Sequence, residues 1–178
     1  MMDLIIDKAK AFAKDIFSAD SSGHDYHHTL RVWALARTIG EAEGADMALV
    51  ELAALLHDVD DHKLSPETCE NHLRAVTFLR ENGADEEKIC IITDIISRIS
   101  FSANRGAPST IEGKCVQDAD RLDAMGAIGI ARTFAFGGER GRSIEDSVQH
   151  FYDKLLLLLF DIYQNHFSLM PGRPIHNP

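Results

Sequence analysis

Apolar side chains recur every three or four residues along most of the chain, the spacing of one face of an α-helix. Ile5, Ala9, Phe12 and Ile16 define a first helix, and His28, Val32, Leu35 and Ile39 a second whose inward lane begins with a histidine. Asp46 is a suitable cap for a third, with Leu52, Leu55, Leu56 and Val59 inward. Ser65-Pro66-Glu67 reads as the start of a fourth, with Leu73, Val76 and Leu79 as its buried stripe and Asn82-Gly83 as its stop. Ile89, Ile92, Ile96 and Ile99 give a fifth, since their spacing does not alternate as a half-exposed strand would. Ser102 to Gly113 is rich in turn formers and reads as the main internal loop. Beyond it a helical pattern runs through Cys115, Ala119 and Leu122 to Gly137-Gly138. Gly126 and Gly129 inside it either permit close packing or break the segment in two. Ser143 with Asp146 resembles a capping box that opens a last helix through about His166. The pattern predicts an all-α domain, a bundle of about six or seven helices, over residues 1–168 with a tail at 169–178.

At 178 residues with 45 % hydrophobic and 26 % charged, the chain suits one compact domain. A net charge of −10 disfavours binding to a nucleic-acid backbone. Cys69, Cys90 and Cys115 are odd in number and form no CxxC, which argues against a disulfide scaffold or thiolate zinc site and suggests buried, reduced thiols. The acidic start is unlike a signal peptide, and the longest apolar run, Leu155 to Phe160, is too short for a bilayer. A cytoplasmic location and no membrane partner are expected.

The chemistry gathers in two places. ELAALLHDVDDHK sets His57 and Asp58 at the end of an apolar stretch, followed by Asp60, Asp61, His62 and Lys63. QDADRLDAMGA sets Asp118, Asp120 and Asp123 with Arg121 in another largely apolar segment. Charges directed toward a core need partners or a metal, and imidazole with carboxylate suits a divalent ion. A buried structural network of paired groups is the alternative reading. The chain has no HExxH, GxSxG or Walker-type loop, and no ExxH of a di-iron bundle.

Three segments in order, GHDYHHTLRVWALA, LAALLHDVDDHK and VQDADRLDAMGAIGIARTFAFGG, resemble the first-histidine, central His-Asp and last-aspartate motifs of the HD-domain metal-dependent phosphohydrolase superfamily. The resemblance spans most of the chain and implies an all-helical fold around one divalent metal ion. It implies His28, His57, Asp58 and Asp120 as metal ligands. His27 competes with His28, but His28 shares the apolar lane and His27 turns about 100° away. Asp118 competes with Asp120, whose Ala-Asp-Arg-Leu setting is the one similar to the family's last ligand.

Mn or Mg is the metal expected first, with Fe, Ni, Co or Zn also compatible. In such a site Asp61, one turn beyond His57 on the same helix, is the candidate general base. Arg31, Lys63 and Arg121 adjoin the motifs and are candidates to hold phosphate, with His24 lining the site and the loop Gly137 to Arg142 also near enough to consider.

HDVDDHK and DADRLDAMGAIGIAR most resemble a stand-alone bacterial-type branch that includes nucleoside triphosphate pyrophosphohydrolases. The expected reaction is hydrolysis of a (deoxy)nucleoside triphosphate to monophosphate and pyrophosphate. A guanosine tetraphosphate-type or other phosphomonoester hydrolase is the runner-up, because Asp60-Asp61 come one position early and lack the Glu of that branch. A non-catalytic metal- or nucleotide-binding helical module is the alternative of another class. A homodimer is expected. The resemblance fades near the C-terminus, where relatives usually continue into a charged helix and this chain reads LLLLLFDIYQNHFSLMPGRPIHNP.

Overall fold

The computed structural model describes residues 2–17, 25–61, 67–99 and 108–158, together with 162. Among these residues the fold is all-α: eight α-helices and no strand. They are α1 (Met2–Phe17), α2 (Tyr26–Glu43), α3 (Met47–Leu56), α4 (Leu73–Glu81), α5 (Glu86–Ile99), α6 (Ile111–Asp123), α7 (Gly126–Glu139) and α8 (Ile144–His150), followed by a π-helical stretch, Phe151–Leu155. The chain divides into two compact units, Met1–Asp123 and Ala124–Pro178. No helix among the described residues is long and apolar enough to cross a membrane.

In the first unit α3 is the central element. Val50 and Leu52 through Leu56 are all buried, and the helix packs against α1, α2, α5 and α6. A helix surrounded on so many sides needs apolar residues around its whole circumference, which is what the MALVELAALL stretch supplies. Its start is set by Asp46, whose Oδ1 accepts the Ala48 and Leu49 N–H groups at 2.9 and 3.4 Å. α2 starts in the same way: Asp25 Oδ1 accepts the N–H of His28, the third residue of the helix, at 2.7 Å. This cap fixes the angle at which His28 enters the core.

Several sequence expectations shift. α3 ends at Leu56, and residues 57–60 form turns rather than more helix. α4 begins at Leu73, not after Ser65, and residues 67–72 form turns; Ser65 and Pro66 lie outside the described residues. The reason is that the carboxylate satisfying the first α4 amides is Asp60, from the preceding turn: it accepts the Arg74 and Ala75 N–H groups at 3.1 and 3.0 Å. The α4 stripe is Ala75, Phe78 and Leu79, while Leu73 is exposed. α6 begins at Ile111, inside the expected loop, with Thr110 Oγ1 accepting the Gly113 N–H at 3.1 Å; residues 101–107 lie outside the description. Ile89, Ile92, Ile96 and Ile99 are buried as their spacing predicts. Cys115 is buried and Cys69 half-buried, but Cys90 is exposed; none of the three is in a disulfide.

Of the two roles offered for the inner glycines, the break in the segment occurs. Gly126 has φ +69° and separates α6 from α7. A Cβ on Gly129 would run into the carbonyl oxygen of Ala124. In the second unit Ser143 Oγ accepts the Asp146 N–H at 3.0 Å, the expected cap of α8. Of the leucine run, Leu155 and Leu158 are buried and Leu156 and Leu157 exposed. The expected tail at 169–178 lies outside the described residues.

Candidate metal centre

The site is assembled from α2, the turn after α3, and α6, all in the first unit. On α2, His28 and Arg31 are three residues apart and share a face; on α6, Asp120 and Asp123 do the same. The two ladders meet. His28 Nε2 lies 3.4 Å from Asp120 Oδ1, and its Nδ1 lies 2.7 Å from Asp123 Oδ2. One imidazole thus bridges two carboxylates a helical turn apart.

His57 is the last residue turned by α3, serving as its C-cap, and there its Nδ1 donates to the Ala54 carbonyl at 2.8 Å. That bond leaves Nε2 facing inward. His57 Nε2 is buried and has no hydrogen-bond partner among the described residues, although Asp58 Oδ2 at 3.2 Å and Asp120 Oδ1 at 3.9 Å stand beside it. Asp58 Oδ2 is also 3.5 Å from His28 Nε2. The two rings meet edge to face with centroids 5.3 Å apart. His28, His57 and Asp120 each offer a ligand atom within 4.8 Å of the others.

Electrostatics favours a positive charge at this point. Burial lowers the tendency of His28 to protonate, but hydrogen bonds to Asp120, Asp123 and Asp58 outweigh it and raise the imidazole well above its ordinary value. His57 is raised too, against burial, by Asp58 and Asp120. Burial pushes the Asp120 carboxyl up, and His28 and His57 together pull it below the usual range. Asp123 is likewise held low despite burial, by His28 and Arg31. Carboxylates that keep their charge in a buried setting attract protons in the absence of another cation, and a divalent ion answers the same demand. The buried His57 Nε2 without a partner, a soft nitrogen donor beside hard oxygen donors, fits such an ion.

His28 is buried and the neighbouring His27 is exposed, as the apolar register predicts. Asp118 is buried, and Asp120 stands beside both imidazoles.

Asp61 is half-buried at the end of the turn, its N–H on the Asp58 carbonyl at 3.0 Å; because α3 stops at Leu56, it does not lie one helical turn past His57 on a continuous helix. Arg31 holds Asp123 through Nε at 2.6 Å and Nη2 at 3.1 Å. Arg121 is 8 % exposed. His24, His62 and Lys63 lie outside the described residues. Sequence reasoning placed Asp60 and Asp123 in the acidic clusters without giving either a role: Asp60 caps α4, and Asp123 contacts His28 and Arg31. The i, i+3 match of Asp120 and Asp123 with His28 and Arg31 is the signal that could have found the second.

The HD domain family matches residues 25–125, which hold every residue of this cluster. The uncharacterized protein YpgQ of Bacillus subtilis (strain 168) is 44 % identical over 161 residues, spanning 85 % of this chain and 78 % of its own length. The crystal structure of Bacillus subtilis YpgQ in complex with ADP is similar with a TM-score of 0.73 and 38 % identity, over 92 % of this chain and 88 % of that one. An HD-superfamily hydrolase from Bacillus thuringiensis is similar with a TM-score of 0.71 and 39 % identity, over 94 % of this chain and 90 % of that one. With a family match over more than half its length, and with such relatives, this chain belongs to the HD-domain superfamily of hydrolases.

Proposed function

We propose that the protein is a metal-dependent phosphohydrolase acting on a small nucleotide, in first place a (deoxy)nucleoside triphosphate cut to monophosphate and pyrophosphate. The observation that supports the reading is the grouping of His28, His57 and Asp120, each offering a ligand atom within 4.8 Å of the others, with Asp58 Oδ2 3.5 and 3.2 Å from the two Nε2 atoms. The nucleotide side is supported by the ADP in the similar YpgQ structure.

In this reading His28, His57, Asp58 and Asp120 hold the ion, Mn or Mg in first place. A divalent ion supplies a water of lowered pKa and a counter-charge to the phosphoryl oxygens. The chain's own groups do the rest. The Ala54 carbonyl and Asp123 fix the two imidazole rings by their Nδ1 atoms, so that both Nε2 atoms face one centre. Asp61 accepts a proton from the attacking water; its place next to the Asp58-to-Asp61 turn keeps a carboxylate within a few residues of the cluster. Lys63, Arg121 and His24 oppose the substrate's negative charge, which a chain of net charge −10 must do locally.

The test is metal analysis of the purified protein, followed by product analysis with a nucleotide panel in the presence of Mn2+ or Mg2+. Pyrophosphate with nucleoside monophosphate is the expected product pair. Orthophosphate from a monoester would shift the assignment to the runner-up chemistry. Tight nucleotide binding with no turnover in a metal-loaded sample would make the protein a binding module instead.

A further inference from the structure

Asp123 is 5 % exposed at the last residue of α6, and both of its oxygens are engaged. Oδ1 accepts Arg31 Nε at 2.6 Å; Oδ2 accepts Arg31 Nη2 at 3.1 Å and faces His28 Nδ1 at 2.7 Å. The guanidinium is therefore side-on to the carboxylate, the bidentate arrangement that fixes both the position and the plane of the acid. Fixed in this way, the carboxylate presents Oδ2 to the Nδ1 of His28. That leaves the ring oriented with Nε2 toward Asp58 and Asp120, at 3.5 and 3.4 Å.

We propose that Arg31 and Asp123 form a brace that presets His28 as a metal ligand, so that Arg31 is a positioning residue and not a phosphate ligand. The inference rests on the metal-centre reading above and deepens it. Its physical basis is the pairing of donors. A carboxylate accepts from Arg31 Nε on one oxygen and from His28 Nδ1 on the other. An amide at the same place has a single oxygen, so its NH2 must face one of those two donors. Because Arg31 Nη2 and His28 Nδ1 share Oδ2 while Arg31 Nε takes Oδ1, an amide in either orientation turns its NH2 toward at least one of these donors, breaks the side-on pair and loosens the hold on the His28 ring. A carboxylate that selects the tautomer of a functional histidine has the same logic in other enzymes, where the amide replacement is strongly deleterious.

Arg31 is about one-third exposed, so its replacement is compatible with folding, whereas that of the buried Asp123 carries more risk. The test uses the full chain as four proteins: wild type, Asp123→Asn, Arg31→Gln and the double variant. The first readout needs neither metal nor substrate: nitrogen-edited NMR of the histidine ring protons. At a pH high enough for the ring to carry a single proton, wild type is expected to show a downfield, slowly exchanging proton on His28 Nδ1, and Asp123→Asn to lose the slow exchange. The second readout is Mn2+ affinity at fixed pH. Asp123→Asn should lower it roughly 10–100-fold, the range for outer partners of ligating histidines. Arg31→Gln should lower it roughly three- to tenfold in the wild-type background and have little effect in the Asp123→Asn background, because the two act through one contact.

Absence of the Nδ1 proton in wild type overturns the proposal without any variant. So does wild-type Mn2+ affinity in a folded Asp123→Asn protein, or a rise in nucleotide KM in Arg31→Gln with Mn2+ affinity unchanged, which would return Arg31 to the phosphate. Failure of the functional reading looks different: nucleotides go unhydrolysed while the Nδ1 proton and the variant effects on Mn2+ are as expected.

Discussion

Two acidic stretches meet at the imidazoles, the turn from His57 to Asp61 and the end of α6 from Asp118 to Asp123, and they divide their labour alike. In each, one carboxylate stands beside the Nε2 atoms, Asp58 in the first and Asp120 in the second. In each, a second carboxylate supports a neighbour. The partners of that second carboxylate differ. Asp60 accepts two backbone amides of α4, which are neutral and belong to the fold. Asp123 accepts a guanidinium and a histidine ring, and so belongs to the centre. The difference teaches that nearness to the site does not assign a residue's role; the chemistry of its partners does. Loss of Asp60 should be felt in stability, loss of Asp123 in metal affinity.

The largest expected effect is at the centre itself. Asp58→Ala should lower Mn2+ affinity by at least about 100-fold, beyond the range for outer partners, and abolish hydrolysis with helicity kept. Metal analysis with far-ultraviolet circular dichroism checks it, and retained metal would remove Asp58 from the ligand set. Next is Asp60→Ala, which leaves amides at the start of α4 without their acceptor and should cost about 1–3 kcal/mol. The urea midpoint should fall while Mn2+ affinity stays within about twofold of wild type, since the contact lies outside the ligand network. A large loss of metal affinity there would erase the contrast between the two stretches.

Asp46→Ala, a cap on α3 remote from both stretches, calibrates that figure and should cost about 1 kcal/mol in the same measurement. The smallest effect is a local one. Burial, reinforced by Glu43, Asp118 and Glu112, pushes the Cys115 thiol up to about 11. At pH 8 it should react with a thiol reagent far more slowly than the exposed Cys90. Cys115 sits about two turns before Asp123 on α6, so its protection should persist in Asp123→Asn if the change is confined to the brace. Lost protection would make Asp123 a general support of α6.

Much of this was legible along the chain, and what was not has a physical cause. His28 was separable from His27 because burial follows the helical lane, a periodic property. Asp46 and Ser143 were legible because their caps are local, within three residues. The start of α4 was not, because its acceptor, Asp60, stands 14 residues before Arg74 and no local signal announces it. Asp61 was misplaced because an apolar run continuing to Val59 reads as helix, while the chain turns after Leu56. Val59 is buried from that turn and keeps the pattern going. Asp123 and Arg31 meet across 92 residues, and their partnership becomes visible only when α2 and α6 lie side by side.

The most direct measurement of the central claim is a crystal structure of the protein with Mn2+, with the ion located by its anomalous scattering. One peak within about 2.3 Å of His28 Nε2, His57 Nε2 and oxygens of Asp58 and Asp120 is the predicted result. A peak away from these four side chains, in a crystal whose protein still hydrolyses nucleotide with Mn2+, would contradict it.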